Sequence, residues 1–219
     1  MYERSTLAIR ESYDRLADEY VRRLVNELQQ KPLDRELLSR FASEIANLGE
    51  VCDMGCGPGH IARYLRDRGA MVFGLDLSPR MLEQARQLYP DIRFCEGNMM
   101  ALDLPTDSLA GIVAFYAIVN IPMKLVAVVF REMHRVLEPG GLLLLAFHTG
   151  DEMLFLPELW GRPISMKWFL FSTLEIRRSL ETAQFVIKEV IERGPYAPEV
   201  EAQTNRAYIL ARKPLQQGK

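Results

Sequence analysis

Three glycines spaced two residues apart, Gly55, Gly57 and Gly59, follow a short apolar run and precede a stretch with helical periodicity. Because glycine has no Cβ atom, such a turn lets a ligand lie directly against the peptide groups. The free N–H groups of the following helix favour an anionic group at the same place. Asp53 adds a carboxylate two residues before the first glycine. The pattern predicts a cradle for a small polar cofactor at the carboxyl end of a strand.

The loop departs from the two common phosphate-binding patterns. The dinucleotide fingerprint G-x-G-x-x-G has a third glycine where His60 stands, and Asp53 would repel a pyrophosphate while suiting a positively charged ligand. No Gly-Lys-Ser/Thr sequence follows, which excludes the phosphate loop of nucleoside triphosphatases. A dinucleotide-dependent oxidoreductase remains an alternative, although these residues count against it.

A second acid follows the next apolar run. Residues 72–75 are apolar or glycine, Asp76 ends the run, and Ser78 with Pro79 has the pattern of a helix start. An acid at the end of this strand can accept two hydrogen bonds from the diol of a ribose. The two strand ends together predict a nucleoside-containing cofactor.

The motifs follow one another in a characteristic order. They are D-x-G-x-G-x-G at residues 53–59, G-x-D-x-S at 74–78, E-G-N at 96–98, an apolar strand at 112–120 and R-V-L-x-P-G-G at 135–141. This ordered set resembles the class I S-adenosylmethionine-dependent methyltransferases, in particular their small-molecule members, over residues 10–212. The resemblance implies an α/β fold: a Rossmann-like, doubly wound, mostly parallel seven-stranded sheet with an antiparallel edge hairpin, an N-terminal helical lid and an insertion after strand 5.

The resemblance also implies a cofactor site. In the family the glycine loop holds the methionine end of S-adenosyl-L-methionine, the acid after the second strand holds the ribose, and residues after the third strand meet the adenine. Carried over with neighbouring side chains, the candidate cofactor-binding residues are Tyr13, Tyr20, Asp53, Gly55, Cys56, Gly57, Gly59, Asp76, Leu77, Asn98, Met99 and Phe115. Tyr13 and Tyr20 either face the sulfonium, which aromatic rings attract, or belong to a core-facing stripe. Met99 packs either on the adenine or in the core.

Three polar side chains near the ends of the fourth and fifth predicted strands, Tyr116, Asn120 and His148, are the candidate catalytic residues. His148 is either a proton acceptor or a turn histidine bonded to the backbone. Asn120 stands where small-molecule members of the family often carry histidine, so the use of a general base is left open. Its context, N-I-P-M, differs from the [ND]-P-P-[YF] signature of amino-methylating enzymes, which disfavours nucleic acid as the acceptor.

The chain is expected to form one domain, residues 1–219, with four parts. They are N-terminal lid helices at 1–48, a cofactor-binding core at 49–148, an acceptor-site cap at 149–172, and a C-terminal helix with edge strands at 173–212. The cap is rich in large apolar residues, so it shapes the acceptor site, packs in the core or forms a dimer interface. The connection 193–206 carries Tyr196 and Arg206, which are expected to reach the acceptor.

Local signals predict several element boundaries. Apolar runs predict strands over residues 111–119 and 142–147. Asp34 is predicted to cap a helix over residues 35–47, and the polar tail 214–219 is predicted to be disordered.

The totals of this 219-residue chain exclude several classes of protein. A net charge of −2 and a pI of about 6.0 give no basic surface for nucleic acid or an anionic membrane. Three cysteines, of which Cys52 and Cys56 lack a second ligand pair, indicate a reducing compartment and no metal site. The longest apolar run, 109–119, is too short to span a bilayer, and the first residues are charged. A cytoplasmic monomer or homodimer is expected.

The resulting expectation is an enzyme that moves a methyl group from S-adenosyl-L-methionine to a small, partly apolar acceptor by direct in-line displacement, leaving S-adenosyl-L-homocysteine. The alternative is a non-catalytic regulatory or scaffold protein that binds S-adenosylmethionine and uses the apolar cap as an interface. The motifs identify the methyl donor and leave the acceptor unidentified, because they describe the donor site alone.

Overall fold

A computed structural model describes residues 2–215, with the side chains of residues 6–215, so most of the predicted disordered tail lies outside the described residues. The elements in chain order are α1 (Tyr2–Leu24), a 3₁₀ turn (Glu27–Gln30), α2 (Pro32–Glu44), β1 (Glu50–Met54), α3 (His60–Arg66), β2 (Met71–Asp76), α4 (Pro79–Leu88), β3 (Arg93–Glu96), β4 (Leu109–Phe115), α5 (Met123–Val136), β5 (Leu137–Thr149), β6 (Met153–Leu159), β7 (Arg162–Phe169), α6 (Thr173–Thr182), β8 (Val186–Arg193) and β9 (Asn205–Arg212). None of the helices within residues 2–215 combines the length and apolarity that crossing a membrane requires.

Seven of the strands form one sheet in the order β3-β2-β1-β4-β5-β9-β8. The first five are parallel, whereas β9 runs antiparallel to β5 and β8 runs antiparallel to β9. The strand order reverses between β1 and β4, and their carboxyl ends therefore border the crevice where open α/β sheets bind ligands. The predicted doubly wound sheet with an antiparallel edge hairpin is confirmed.

The two faces of the sheet bury separate apolar clusters. Helices α2, α3 and α4 cover one face, and α5 and α6 cover the other. Neighbouring residues of β4 alternate between the two clusters. Val113 belongs to the cluster under α2, α3 and α4, and Ile112 to the cluster under α5 and α6. Burial on both faces explains why the central strands are apolar throughout.

Three local predictions need correction. The strand predicted over 111–119 is β4, which starts at Leu109 and ends at Phe115, because Tyr116 has a φ of 55° that breaks the extended backbone. The strand predicted over 142–147 extends from Leu137 to Thr149. The predicted cap Asp34 instead lies in the first turn of α2, which begins at Pro32, and its buried carboxylate accepts a hydrogen bond from the Tyr208 hydroxyl at 3.0 Å.

The insertion after β5 is a hairpin. Strands β6 and β7 pair antiparallel in a sheet of their own. The Phe169 amide donates to the Val119 carbonyl at 2.8 Å, which ties the hairpin to the segment after β4. The Ser165 amide donates to Ser12 Oγ at 3.2 Å, which ties it to α1.

Helix α1 lies across the carboxyl edge of the sheet, between the hairpin and α4. Asp14 Oδ1 accepts hydrogen bonds from Ser78 Oγ at 2.6 Å and from the Arg80 amide at 3.2 Å. Gln84 Nε2 donates to Asp18 Oδ1 at 2.9 Å. One helix therefore joins the hairpin to the helix that follows Asp76.

Candidate active site

A cavity of about 260 Å³ lies at the carboxyl ends of the parallel strands, under α1 and beside the hairpin. Every candidate cofactor-binding or catalytic residue from the sequence lines it except Asp53 and Gly59. The structure thus brings the other candidates together around one cavity, and their roles there stay predictions.

The three loop glycines each have a positive φ, between 50° and 83°, but they differ in the space around the position of a Cβ atom. A Cβ atom on Gly55 would lie 2.6 Å from the Cβ of Ala117, and one on Gly59 would lie 2.7 Å from the Phe94 ring. A Cβ atom on Gly57 would meet nothing within 4 Å. Gly55 and Gly59 are therefore required by packing, whereas Gly57 leaves space in front of the loop, which is the cradle that a ligand needs.

Asp76 holds the loop and faces the cavity. Its Oδ2 accepts from the Gly57 amide and its Oδ1 from the Ser78 amide, each at 2.8 Å. Burial raises the pKa of this carboxyl group, while the amide hydrogen bonds oppose that shift. Each carboxylate oxygen has a second lone pair, so Asp76 can still accept hydrogen bonds from a ribose diol. The predicted cap of α4 is present, since the Met81 amide donates to Ser78 Oγ at 3.1 Å.

Asp53 lies behind the loop. Its Oδ2 accepts from the Ala62 amide at 2.9 Å, and its side chain is buried without lining the cavity. Burial raises its pKa to about 7. The expected direct cofactor contacts of Asp53 and Gly59 are corrected: both shape the loop from behind, because one anchors α3 and the other packs on Phe94.

The Asn120 side chain joins three parts of the site. Its Oδ1 accepts from the Tyr13 hydroxyl of α1 at 2.6 Å, and its Nδ2 donates to the Lys167 carbonyl of β7 at 2.9 Å. Tyr20 packs edge to face on Tyr13, with ring centroids 5.8 Å apart. Asn120 thereby joins α1 to the hairpin through both of its side-chain polar atoms, which argues against its candidate catalytic role.

His148 stands in a stack of aromatic rings. Its ring lies 4.9 Å from that of Tyr116 and 5.6 Å from that of Trp168, the latter nearly parallel at 10°. Its Nδ1 is 2.7 Å from Thr204 Oγ1. Burial, with the charges of Arg206 and Lys31, lowers the pKa of His148 to about 3. The imidazole is uncharged at neutral pH and is a weak proton acceptor there.

Tyr116 also retains its proton. Its hydroxyl oxygen is 3.1 Å from that of Tyr208, and burial raises its pKa well above the usual value. At neutral pH the phenol is therefore a hydrogen-bond partner and a ring surface, and proton removal from an acceptor would need another group.

Sequence reasoning missed most of the charged residues of the cavity. The charged or titratable residues that line it beyond those predicted are Glu27, Lys31, His60 and Glu201. Arg206, expected from the connection 193–206, also lines the cavity, whereas Tyr196 does not. These groups come from distant parts of the chain and share no spacing, so no sequence signal brings them together.

The charged residues form a buried network. Lys31 Nζ lies 2.6 Å from Glu27 Oε2 and 3.7 Å from Glu201 Oε2. His60 Nε2 lies 2.9 Å from Glu27 Oε1. Arg206 Nε lies 3.2 Å from Glu201 Oε2. The Lys31 ammonium and the Arg206 guanidinium both lie over the Tyr116 ring, at 5.6 and 5.7 Å from its centroid.

The comparison with known proteins decides the family. Residues 51–141 match a family described as a methyltransferase domain. An uncharacterized methyltransferase of Synechocystis is 31% identical over 168 residues, which cover 72% of this chain and 76% of that protein. The chain belongs to the class I S-adenosylmethionine-dependent methyltransferases.

Two further proteins show how far the similarity extends. A malonyl-[acyl-carrier protein] O-methyltransferase of Enterobacter lignolyticus is 31% identical to this methyltransferase over 153 residues, 70% of the chain and 58% of the relative. The chain thus spans little more than half the length of that curated relative. A chain in the complex of the Haloferax volcanii Trm112 activator with a methyltransferase has the same fold, with a TM-score of 0.69, 21% identity, and coverage of 92% of this chain and 97% of that one.

S-adenosylmethionine is the cofactor of this family, and the residues present fit it. The open space in front of Gly57 accommodates a ligand against the peptide groups, and Asp76 faces the same space. Leu77, Asn98 and Met99 line the adjoining wall, where the family binds the adenine. Among the described side chains, those of residues 6–215, no group of three or more His, Cys, Asp or Glu is placed to hold a metal ion.

Proposed function

We propose that this methyltransferase transfers the methyl group of S-adenosylmethionine to a small, partly apolar acceptor by direct in-line displacement. One observation supports this above the others: the glycine loop and Asp76 share a single cavity with an aromatic wall on the hairpin. A donor and an acceptor that occupy the two ends of one cavity can meet without a transfer between sites.

The chain's own contribution is to orient the reactants and to exclude water. Bound S-adenosylmethionine supplies a methyl group that its positively charged sulfur has already activated. Asp76 would fix the ribose, and the rings of Tyr13 and Tyr20 present faces that attract a cation. Holding the acceptor in line with the reacting bond contributes on the order of 7 kcal/mol at the favourable end.

The apolar character of the acceptor is inferred from the apolar part of the cavity lining. Leu159, Trp160 and Trp168 of the hairpin and Val200 of the connection before β9 belong to this part. Such a lining stabilises an apolar body and leaves orientation to a few polar groups. The relative from Enterobacter lignolyticus, by its name, methylates an oxygen of a malonyl group on a carrier protein, and an oxygen acceptor is consistent with the wall described here.

Calorimetric titration with S-adenosylhomocysteine, with NADH as the control ligand, tests the donor half of this proposal. We expect a dissociation constant in the micromolar range for S-adenosylhomocysteine and no heat of binding for NADH. Folded protein that binds NADH alone, or neither ligand, would contradict the proposed function.

A further inference from the structure

The acceptor end of the cavity contains two cationic side chains and one buried donor without a partner. Trp168 Nε1 is buried and has no hydrogen-bond partner within the described part of the chain. The Arg206 guanidinium donates to the Thr204 and Ala202 carbonyls and pairs with Glu201 through Nε, so it offers mainly its charge to a ligand. The Lys31 ammonium carries three N–H donors and gives one hydrogen bond to Glu27. Buried donors are normally paired, so a ligand that fills this end is expected to bring acceptor atoms.

The acids at this end are already engaged. Glu201 accepts from Arg193 and from the Tyr196 amide at 2.7 Å, and it pairs with Lys31 and Arg206. Glu27 lies between Lys31 and His60, and these two partners outweigh the effect of burial and lower the pKa of Glu27 to about 2. An incoming cation would find no free carboxylate here.

A strong base is missing from the described residues of this wall. The His148 imidazole holds a proton only in acid, and Tyr116 is protonated at neutral pH. A phenol or a protonated amine must lose a proton before or during methylation, which requires a proton acceptor near the operating pH. An acceptor that arrives ionised avoids this requirement.

We propose that the acceptor is a carboxylate, held by Lys31, Arg206 and the Trp168 N–H, with its apolar body against Leu159 and Trp160. This inference rests on the proposed function. In the step, a carboxylate oxygen forms a bond to the methyl carbon as the sulfur–carbon bond breaks and its electron pair stays on sulfur. No proton moves, and the negative charge of the acceptor and the positive charge of the sulfonium are lost together. The product is a methyl ester.

The first test compares matched ligands on the wild-type chain loaded with S-adenosylhomocysteine. Calorimetry would measure 3-phenylpropanoate against 3-phenylpropanamide and 3-phenylpropylamine, and octanoate against octanamide. We expect each acid to bind at least about tenfold more tightly than its amide, as a charge-assisted hydrogen bond implies, and the amine to bind most weakly. Equal or weaker binding of both acids, or preference for the amine, would overturn the inference.

Variants then test the named contacts. Arg206→Gln should weaken binding of 3-phenylpropanoate about tenfold, and Trp168→Phe, which keeps a ring and removes the N–H, a few-fold. Binding of the amide and of S-adenosylhomocysteine should change less than about twofold. Arg212→Gln is the matched control, since it removes a partly exposed guanidinium, outside the cavity lining, from the same strand, β9. Equal losses for acid and amide would indicate a structural effect and contradict the assigned contacts.

The chemistry provides an independent readout. Methyl-labelled cofactor incubated with the acids that bind should yield label that mild alkali releases as methanol, because methyl esters hydrolyse and methyl ethers or amines do not. Loss of S-adenosylhomocysteine binding would defeat the proposed function itself. Intact S-adenosylhomocysteine binding without a preference for acids would defeat the carboxylate inference alone.

Discussion

The two ends of the cavity are formed by different kinds of chemical groups. The donor end consists of peptide groups of the loop after β1 and the carboxylate of Asp76, the last residue of β2. The acceptor end consists of side chains from well-separated parts of the chain: Lys31, His148, Trp168, Glu201 and Arg206. Contiguous motifs can be recognised in a sequence, whereas an assembly of distant side chains exists only after folding.

The two ends also differ in charge. At the donor end, burial raises the pKa of Asp53 and Asp76, and it outweighs the opposing effects of His60 on Asp53 and of the amide hydrogen bonds on both. At the acceptor end, burial acts in the same direction on Glu27 and Glu201, but their cationic partners prevail and lower both pKa values. The proposed arrangement therefore has a positive sulfonium at the donor end and an anion at the acceptor end.

The largest effect is expected from filling the donor cradle. Gly57→Leu places a side chain in the space that the cofactor needs, so affinity for S-adenosylhomocysteine should fall at least about 1000-fold, roughly 4 kcal/mol. Calorimetry measures the affinity, and circular dichroism checks the fold. Gly69→Leu is the matched control, because Gly69 also has a positive φ and open space around it but lies outside the cavity. Similar losses of affinity in both variants would mean that backbone strain, and not a side chain in the cofactor's space, causes the effect.

A smaller effect is expected from Asp53, the buried acid behind the glycine loop. The pKa of Asp53 is raised from 3.8 to about 7, so its contribution to stability is present below pH 4 and is lost as the pH rises to 7. Asp53→Asn removes this ionisation. The variant's free energy of unfolding, minus that of wild type, should therefore increase between pH 4 and pH 8 by on the order of 3 kcal/mol. Urea unfolding at several pH values measures this difference. Parallel pH profiles for the two proteins would contradict the assignment.

The smallest effect concerns the link between α1 and the hairpin. Tyr13→Phe removes the hydrogen bond to Asn120, which should cost about 1 kcal/mol of unfolding free energy. Amide hydrogen exchange should become faster in α1 and stay unchanged in β1 and β4. Tyr89→Phe, which removes a hydroxyl outside the cavity wall, serves as the control. Uniformly faster exchange would show that the link stabilises the whole fold and not the lid alone.

Much of the donor end was predictable because its signals are local. The glycine spacing, Asp76 and the Ser78 cap each depend on residues within a few positions of one another, and they fixed the turn, the acid and the helix start. The doubly wound sheet with its antiparallel edge hairpin followed from the family resemblance that the ordered motifs carry. Asp53 was misjudged because its position before the loop is visible in the sequence, but the direction of its side chain is not.

The acceptor end was less predictable for physical reasons. Tyr116 adopts a left-handed conformation that its residue type does not favour, so β4 ends earlier than its apolar run. The hairpin was not predicted because its first strand lacks a clear alternation of apolar and polar residues. Met153 and Phe155 are apolar although they are 47% and 56% exposed. Lys31 directly precedes α2 and Glu201 lies in the connection before β9, so only folding brings their charges to within 3.7 Å.

The position of the tryptophans gives this chain an optical property. Trp160 and Trp168 are its two tryptophans, and both line the cavity. Trp160 packs on Tyr20 of the lid helix with ring centroids 5.2 Å apart, and Trp168 stacks on His148. Because indole emission responds to its immediate surroundings, the tryptophan fluorescence of the whole chain originates beside the bound reactants. The enzyme therefore carries an intrinsic, label-free reporter of what its active site contains.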